Sequence, residues 1–279
     1  EHHDLQQAHE FLSRVRIDLH FAAGRPQDVL SRDEQARIAT ERGFQEVAGQ
    51  HPAVQFMQQY FHHTSNVARI VKRFVTLQRP QSIVSRFLKF VMRHRANDVF
   101  LVGLDEIDVR TSYRTTLYSS LEQILKLYEL ASLYRVRIAP ELAESVALAT
   151  SKLSNLCSAE EARLTRSIFQ RGPALGKILR SMYETGVLEH AIPEFSRTRC
   201  LLQFNQYHHY TVDEHTLRAI EAVTAFENDS GPLGAAYRAI HHKEVLHLAV
   251  LLHDVGKGGT EDHSILGSEI AGNVAERLG

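Results

Sequence analysis

The chain has 279 residues, room for two compact units or for one long helical unit with a smaller one appended. Its 32 Lys and Arg against 33 Asp and Glu leave a net charge of −1, which offers no electrostatic footprint for nucleic acid or an anionic lipid surface. With 43% hydrophobic residues it is too apolar for disorder. Its longest apolar run near the end, Val245 to Leu252, is interrupted by His247 and is far short of the roughly 18 residues of a spanning helix, so neither a nucleic-acid partner nor a membrane is expected.

Leu5, Ala8, Phe11, Leu12, Val15, Ile17 and Leu19 recur at near-helical spacing and predict a helix from Leu5 to Ala22, ended by Gly24-Arg25-Pro26. A second is predicted from Ser31-Arg32-Asp33-Glu34 to about Arg42. Ser65 can cap a third, with Val67, Ile70, Val71, Phe74 and Val75 on one stripe and Arg69, Lys72 and Arg73 on a solvated one. The β-branched residues between Asp98 and Val109, split by Gly103-Leu104-Asp105, predict a small hairpin near residues 98–110.

Ser119-Ser120-Leu121-Glu122 reads as a capping box ahead of an amphipathic helix over Ile124 to Ala131 that ends before Val136-Arg137-Ile138-Ala139-Pro140. Helices over Glu141 to about Asn155 and Ala159 to about Phe169 follow. Pro173 opens another from Ala174 to Thr185, with Gly186 as its stop. The fold class is therefore all-α, mostly helical, with that one hairpin. No Gly-rich phosphate loop occurs in the chain, which sets aside ATP hydrolysis of the P-loop type.

Cys157 and Cys200 are the only cysteines, too few for a disulfide scaffold or a four-thiolate zinc site, and point to a reducing, cytoplasmic compartment. The absence of an initial Met and the helical character of the last residues lead us to expect a piece of a longer protein. Eight of the 17 histidines fall between His208 and His263, and that stretch, from about residue 198 onward, is the natural second part.

There Thr211-Val212-Asp213-Glu214 reads as a capping box that places His215 in the first turn of a helix. His215, Ala219, Ala222 and Val223 share a face, so the imidazole is expected to point toward the core. Val245 to Leu252 reads as an almost wholly apolar, buried helix with His253-Asp254 at its end, before Gly256-Lys257-Gly258-Gly259. An adjacent imidazole and carboxylate form a mixed N/O donor set suited to a divalent metal, with His215 as a third ligand. Lys257 has the charge and reach to hold a phosphate oxygen. His263, at the expected start of the last helix, is a candidate ligand, phosphate partner or proton partner.

Tyr207-His208-His209-Tyr210-Thr211-Val212-Asp213-Glu214-His215-Thr216-Leu217-Arg218 and Leu251-Leu252-His253-Asp254-Val255-Gly256-Lys257-Gly258 resemble the HD-type metal-dependent phosphohydrolase domain of the bacterial PII uridylyltransferase/uridylyl-removing enzyme family. Asp262-His263-Ser264-Ile265-Leu266-Gly267 is similar to the segment that follows there. Phe11-Leu12-Ser13-Arg14-Val15-Arg16 and Gly186-Val187-Leu188-Glu189-His190-Ala191-Ile192-Pro193-Glu194-Phe195 are similar to the family's central helical region. The resemblance implies a helical connector over 1–197 and the N-terminal part of an HD-type domain over 198–279, truncated before a distal Asp that family sites use.

The resemblance implies hydrolysis of the phosphodiester joining UMP to a tyrosine of the PII signal-transduction protein. A divalent cation, Mn²⁺ or Mg²⁺, held by His215, His253 and Asp254 would polarise a phosphoryl oxygen and acidify a water, with Lys257 stabilising added negative charge. In the family, UTP is the donor for uridylyl transfer and glutamine is sensed through ACT domains. The chain has no Gly-Ser or Gly-Gly motif followed by Asp-x-Asp, so transferase chemistry is not expected of it. Two other readings stay open: a catalytically silent helical scaffold that docks PII, and an HD phosphohydrolase acting on small nucleotides.

Overall fold

A computed structural model describes residues 2–46, 50–78, 94–155, 158–203, 210–259 and 262–279; Cys157 and the Tyr207-His208-His209 run lie outside them. The described chain is mostly helical and divides into two compact units. One comprises Glu1–Gln78, Arg197–His215 and Gly256–Leu266; the other comprises Arg79–Ser196, Thr216–Val255 and Gly267–Gly279. Among the described residues no helix is long and apolar enough to cross a membrane.

The first unit is built on α1 (His2–Ala23), α2 (Arg32–Glu41) and α3 (Pro52–Gln78). α2 starts as its sequence predicts, with the Ser31 hydroxyl accepting from the Glu34 amide. α3 does not start at Ser65, which lies inside it. Pro52, whose fixed φ and missing N–H suit a first helical turn, opens the helix more than three turns before Ser65, and the Ala53 amide donates to His51 Nδ1 at 3.1 Å. The core joins Val15 and Leu19 of α1, Ile38 and Ala39 of α2, and Ala53, Phe56 and Met57 of α3, with Leu202 packed among them. Val71, Phe74 and Val75 of the predicted apolar stripe are exposed, because the buried part of α3 is its first half. Arg42 Nε and Nη2 both donate to Asp18 Oδ2, at 2.9 and 2.7 Å, tying the end of α2 to α1.

The second unit contains the predicted hairpin. β2 (Phe100–Val102) pairs antiparallel with β3 (Glu106–Val109), Phe100 opposite Val109 and Val102 opposite Ile107. β1 (His94–Arg95) adds to one edge. The segment expected only to end a helix supplies β4 (Arg137–Ile138), parallel to β3 with Ile107 opposite Ile138. α4 (Arg114–Tyr118) and α5 (Leu121–Tyr134) precede it. The Ser119 capping box does not form: Ser120 is the cap residue and makes no side-chain cap bond, Ser119 donates to Thr116 O, and Glu122 pairs with Lys126 at 2.6 Å.

α6 (Pro140–Thr150) stops short of Asn155, since the Ser- and Asn-rich residues after Thr150 close into turns. α7 (Ala159–Phe169) begins with a reciprocal capping box between Ser158 and Glu161, and α8 (Gly172–Glu184) and α9 (Val187–Ala191) follow it. Tyr128 of α5 is buried with its hydroxyl 2.8 Å from Thr185 Oγ1, and burial pushes its pKa up to about 12. Later come α10 (Val212–Ala225), α11 (Pro232–Ala239), α12 (Lys243–Leu252) and α13 (His263–Leu278).

Near the end of α13, Arg277 grips Glu194 through two bonds of 2.6 and 2.8 Å. That grip holds the Glu194 carboxyl below the usual carboxylate range. Stability from the pair is present in full above the unfolded glutamate value of about 4.3 and is lost as pH falls through the lowered folded value. Urea titrations of wild type and Glu194→Gln are expected to differ by about 1–2 kcal/mol at pH 7 and to converge in acid. An unchanged gap down to pH 2 would contradict that account.

Candidate metal centre

α12 ends at Leu252, and His253 takes the cap position with helical dihedrals. Its Nδ1 lies 2.7 Å from the Val250 carbonyl oxygen. A carbonyl only accepts, so Nδ1 carries the proton and Nε2 presents its lone pair, the form in which imidazole binds a metal. Leu251, Leu252 and Val255 are buried and anchor the turn, while His253 is exposed. Asp254, 9% exposed, places Oδ2 at 3.3 Å from His253 Nε2.

α12 is not the buried apolar helix that its sequence predicts: Val245 is 63% exposed, and the buried positions are His247, Leu251 and Leu252. His247, which reads in sequence as an interruption, is the buried anchor. Its Nδ1 donates to Phe169 O at 2.6 Å, and its Nε2 accepts from the Tyr237 hydroxyl at 2.8 Å. Burial lowers the imidazole pKa and raises that of Tyr237 to about 12, so both groups are neutral at pH 7. The whole polar content of the helix interior is thereby satisfied.

His215 stands in the first turn of α10, and the expected core-facing direction is corrected by the structure: it is exposed. The buried face of this helix runs through Val212, Asp213, Thr216, Leu217 and Ile220, and His215 falls beside it with Ala219 and the exposed Ala222. Asp213 secures the helix start, Oδ2 accepting from the Cys200 amide at 2.7 Å and Oδ1 from the Glu214 amide at 2.9 Å. From Thr216 onward the same continuous helix packs in the second unit. There Gly176 of α8 gives the close approach, since a Cβ at that position would lie 2.9 Å from Glu221 Cγ, and Arg180 pairs with Glu221 at 2.6 Å.

His215, His253 and Asp254 each offer one ligand atom, and these atoms all lie within 4.8 Å of one another. Around a cation with bonds of about 2.1 Å, neighbouring octahedral ligands are about 3 Å apart and opposite ones about 4.2 Å. The 3.3 Å between His253 Nε2 and Asp254 Oδ2 matches neighbouring ligands, whereas a span of 4.8 Å is wider than 4.2 Å, so a bound cation would draw the three donors closer together. Two imidazole nitrogens with one carboxylate suit a divalent ion of intermediate hardness, and three protein ligands leave positions for water and substrate.

Lys257 is half-buried, and its Nζ donates to Gln203 Oε1 at 2.9 Å. The loop that carries it is held at Gly258, whose carbonyl accepts from the Gln50 side chain. Gly258 has φ +92° and a Cβ there would stand 2.9 Å from Leu201 Cδ2, so only glycine fits. Neither Gln50 nor Gln203 has a sequence signature that would have marked it. His263 is exposed at the start of α13 and is not one of the three clustered donors. The adjacent Asp262 accepts the Ser264 amide at 2.8 Å, and the amides of that helix start hold its carboxyl below the usual range.

Residues 1–75 match the family described as GlnD PII-uridylyltransferase, and residues 212–279 match the HD domain. The whole chain aligns at 34% identity with the bifunctional uridylyltransferase/uridylyl-removing enzyme of Ruegeria pomeroyi and at 32% with that of Cereibacter sphaeroides. The chain is similar to these enzymes along its whole length. The enzyme so named from Phenylobacterium zucineum is 32% identical over 98% of the chain. The chain spans about a third of the length of these relatives, 32%, 31% and 30% respectively. No solved structure matches. All three clustered donors lie within the HD match, which itself implies a divalent metal.

If the three donors form one site, His253→Ala and Asp254→Ala should each weaken Mn²⁺ binding by about tenfold or more, read by equilibrium dialysis. His215→Ala should do the same. Retention of wild-type affinity in all three variants would remove the centre.

Proposed function

We propose that this chain carries the metal-dependent phosphodiester hydrolysis that removes UMP from uridylylated PII. The observation that carries the reading is the convergence of His215, His253 and Asp254 inside the HD match. The names of the full-length relatives, uridylyl-removing enzymes, supply the substrate class. Residues 198–279 are assigned to the HD-type part and residues 1–197 to a helical connector, in a cytoplasmic protein. Uridylyl transfer from UTP and the response to glutamine are not assigned to these 279 residues.

His215, His253 and Asp254 would hold the cation, Mn²⁺ or Mg²⁺. When bound, such an ion supplies Lewis acidity toward a phosphoryl oxygen and lowers the pKa of water toward neutrality. His253 enters this role already in the right tautomer, because Val250 O holds the proton on Nδ1. The buried Asp254 carboxylate contributes the negative charge that favours a dication over a monocation. Lys257, steadied by Gln203, is positioned by our reading to donate to a phosphoryl oxygen whose charge grows in the transition state. His263, exposed at the start of α13, is assigned the exchange of a proton with the phosphate or the leaving group.

The test is incubation of the chain with Mn²⁺ and uridylylated PII, following UMP release. Release that falls by about 10²-fold or more in His253→Ala and Asp254→Ala supports the assignment. Lys257→Met is expected to lower kcat by about 10²-fold while leaving Mn²⁺ affinity unchanged. PII binding without any release would favour the scaffold reading, and hydrolysis of free nucleotides alone would favour a small-nucleotide enzyme.

A further inference from the structure

The second unit contains a cavity of about 290 Å³ whose wall includes Arg135, Arg171 and Lys243, the first turn of α8 at Gly172 to Ala174, and Glu227. Three cations face one carboxylate there. Elsewhere in the described residues guanidinium groups are commonly matched to acids, as in Arg37 with Glu34 and Glu41, Arg163 with Glu160, Arg180 with Glu221 and Arg277 with Glu194. Among the described residues, neither the Arg135 nor the Arg171 side chain makes a hydrogen bond or an ion pair. The Arg171 Nε is moreover buried without a partner, and unlike Arg114 and Arg277, whose Nε atoms are buried likewise, Arg171 has no carboxylate paired with its guanidinium.

Arg135 adds an independent observation. It is the cap residue of α5 with φ +56° and ψ +36°, a left-handed conformation that glycine or asparagine adopts more readily than arginine. A long cationic side chain is kept at a position whose backbone favours glycine, and that side chain lines the cavity. The start of α8 points the same way: its cap residue is Arg171 itself, it has no side-chain cap bond, and no acidic residue lies in its first turn. Lys243 is the third cation, with Nζ over the Tyr237 ring at 5.3 Å and 3.4 Å from Ile240 O, which leaves it donors to spare.

We propose that this cavity binds a small oxyanion of the phosphate class. The planar guanidinium forks of Arg135 and Arg171 match tetrahedral and planar oxyanions, Lys243 adds a point charge, and Glu227 offers an acceptor to a hydroxyl on the ligand. The proposal is independent of the metal centre, because none of these residues belongs to it.

The test is calorimetric titration of the 279-residue chain, stripped of metal with EDTA and carrying His253→Ala, with inorganic phosphate and with glycerol phosphate at constant ionic strength. Saturable binding is expected, weakened roughly tenfold or more by Arg135→Gly and by Arg171→Gln. Tighter binding of glycerol phosphate identifies a phosphomonoester as the ligand; equal binding identifies free phosphate. Arg135→Gly is also expected to raise the melting temperature, since it relieves the left-handed backbone, so lost binding there cannot be attributed to unfolding. The proposal is overturned if no saturable binding is seen, or if Arg135→Gly binds as the parent does.

Discussion

The hydrogen bond from His253 Nδ1 to the Val250 carbonyl does two things at once. It satisfies one of the carbonyls that every helix leaves open at its last turn, and it fixes which ring nitrogen carries a proton. Without the second effect the imidazole would be divided between two tautomers, and only one of them aims a lone pair toward Asp254. The termination of a helix and the preparation of the proposed metal ligand are here the same contact. Its neighbours on either side, Leu252 and the Asp254–Val255 pair, are buried, so the exposed ring stands on a fixed base.

Each donor is held by packing of a different kind. The end of α12 is anchored by apolar burial and by His247, whose two nitrogens are both engaged at a distance from the chemistry. α10 is anchored by its approach to Gly176 and by the Arg180–Glu221 pair. The Lys257 loop depends on two glutamine side chains and on a glycine whose missing Cβ leaves room for Leu201. The functional side chains themselves are mostly exposed. Precision at this centre therefore comes from the residues beneath it.

The chemistry was more legible in the sequence than the packing. His215, His253 and Asp254 stand out because their residue types and their positions near helix ends restrict what they can do, and one ligand atom of each lies within 4.8 Å of the others. The direction of His215 was misjudged because one residue along a helix turns a side chain by about 100°, and the buried face of α10 runs through Thr216 and Leu217 instead of His215. Sharing a face with alanines did not show whether that face was inside. α12 looked buried because its composition is apolar, yet composition cannot say which neighbour covers a helix, and most of Val245 is left in solvent. Ser65 and Ser119 carried cap chemistry without being caps, whereas Pro52 and Ser120 began the helices. β4 escaped notice because two residues show no period; only a partner 31 positions earlier gives Ile138 its strand character.

That last pairing bears on how the second unit assembles. The hairpin of β2 and β3 can zip from its own turn, but Ile107 meets Ile138 in parallel only after the chain between them has wound through α4 and α5 and come back. Closing so long a loop costs entropy that only a formed α5, with its buried Ile124, Leu127 and Tyr128, can offset. The order of assembly is thus written into the topology: local turn first, central helix next, sheet edge last. A ribosome releasing this chain from its N-terminus would leave the hairpin waiting, with the outer edge of β3 unpaired, until residue 138 had emerged.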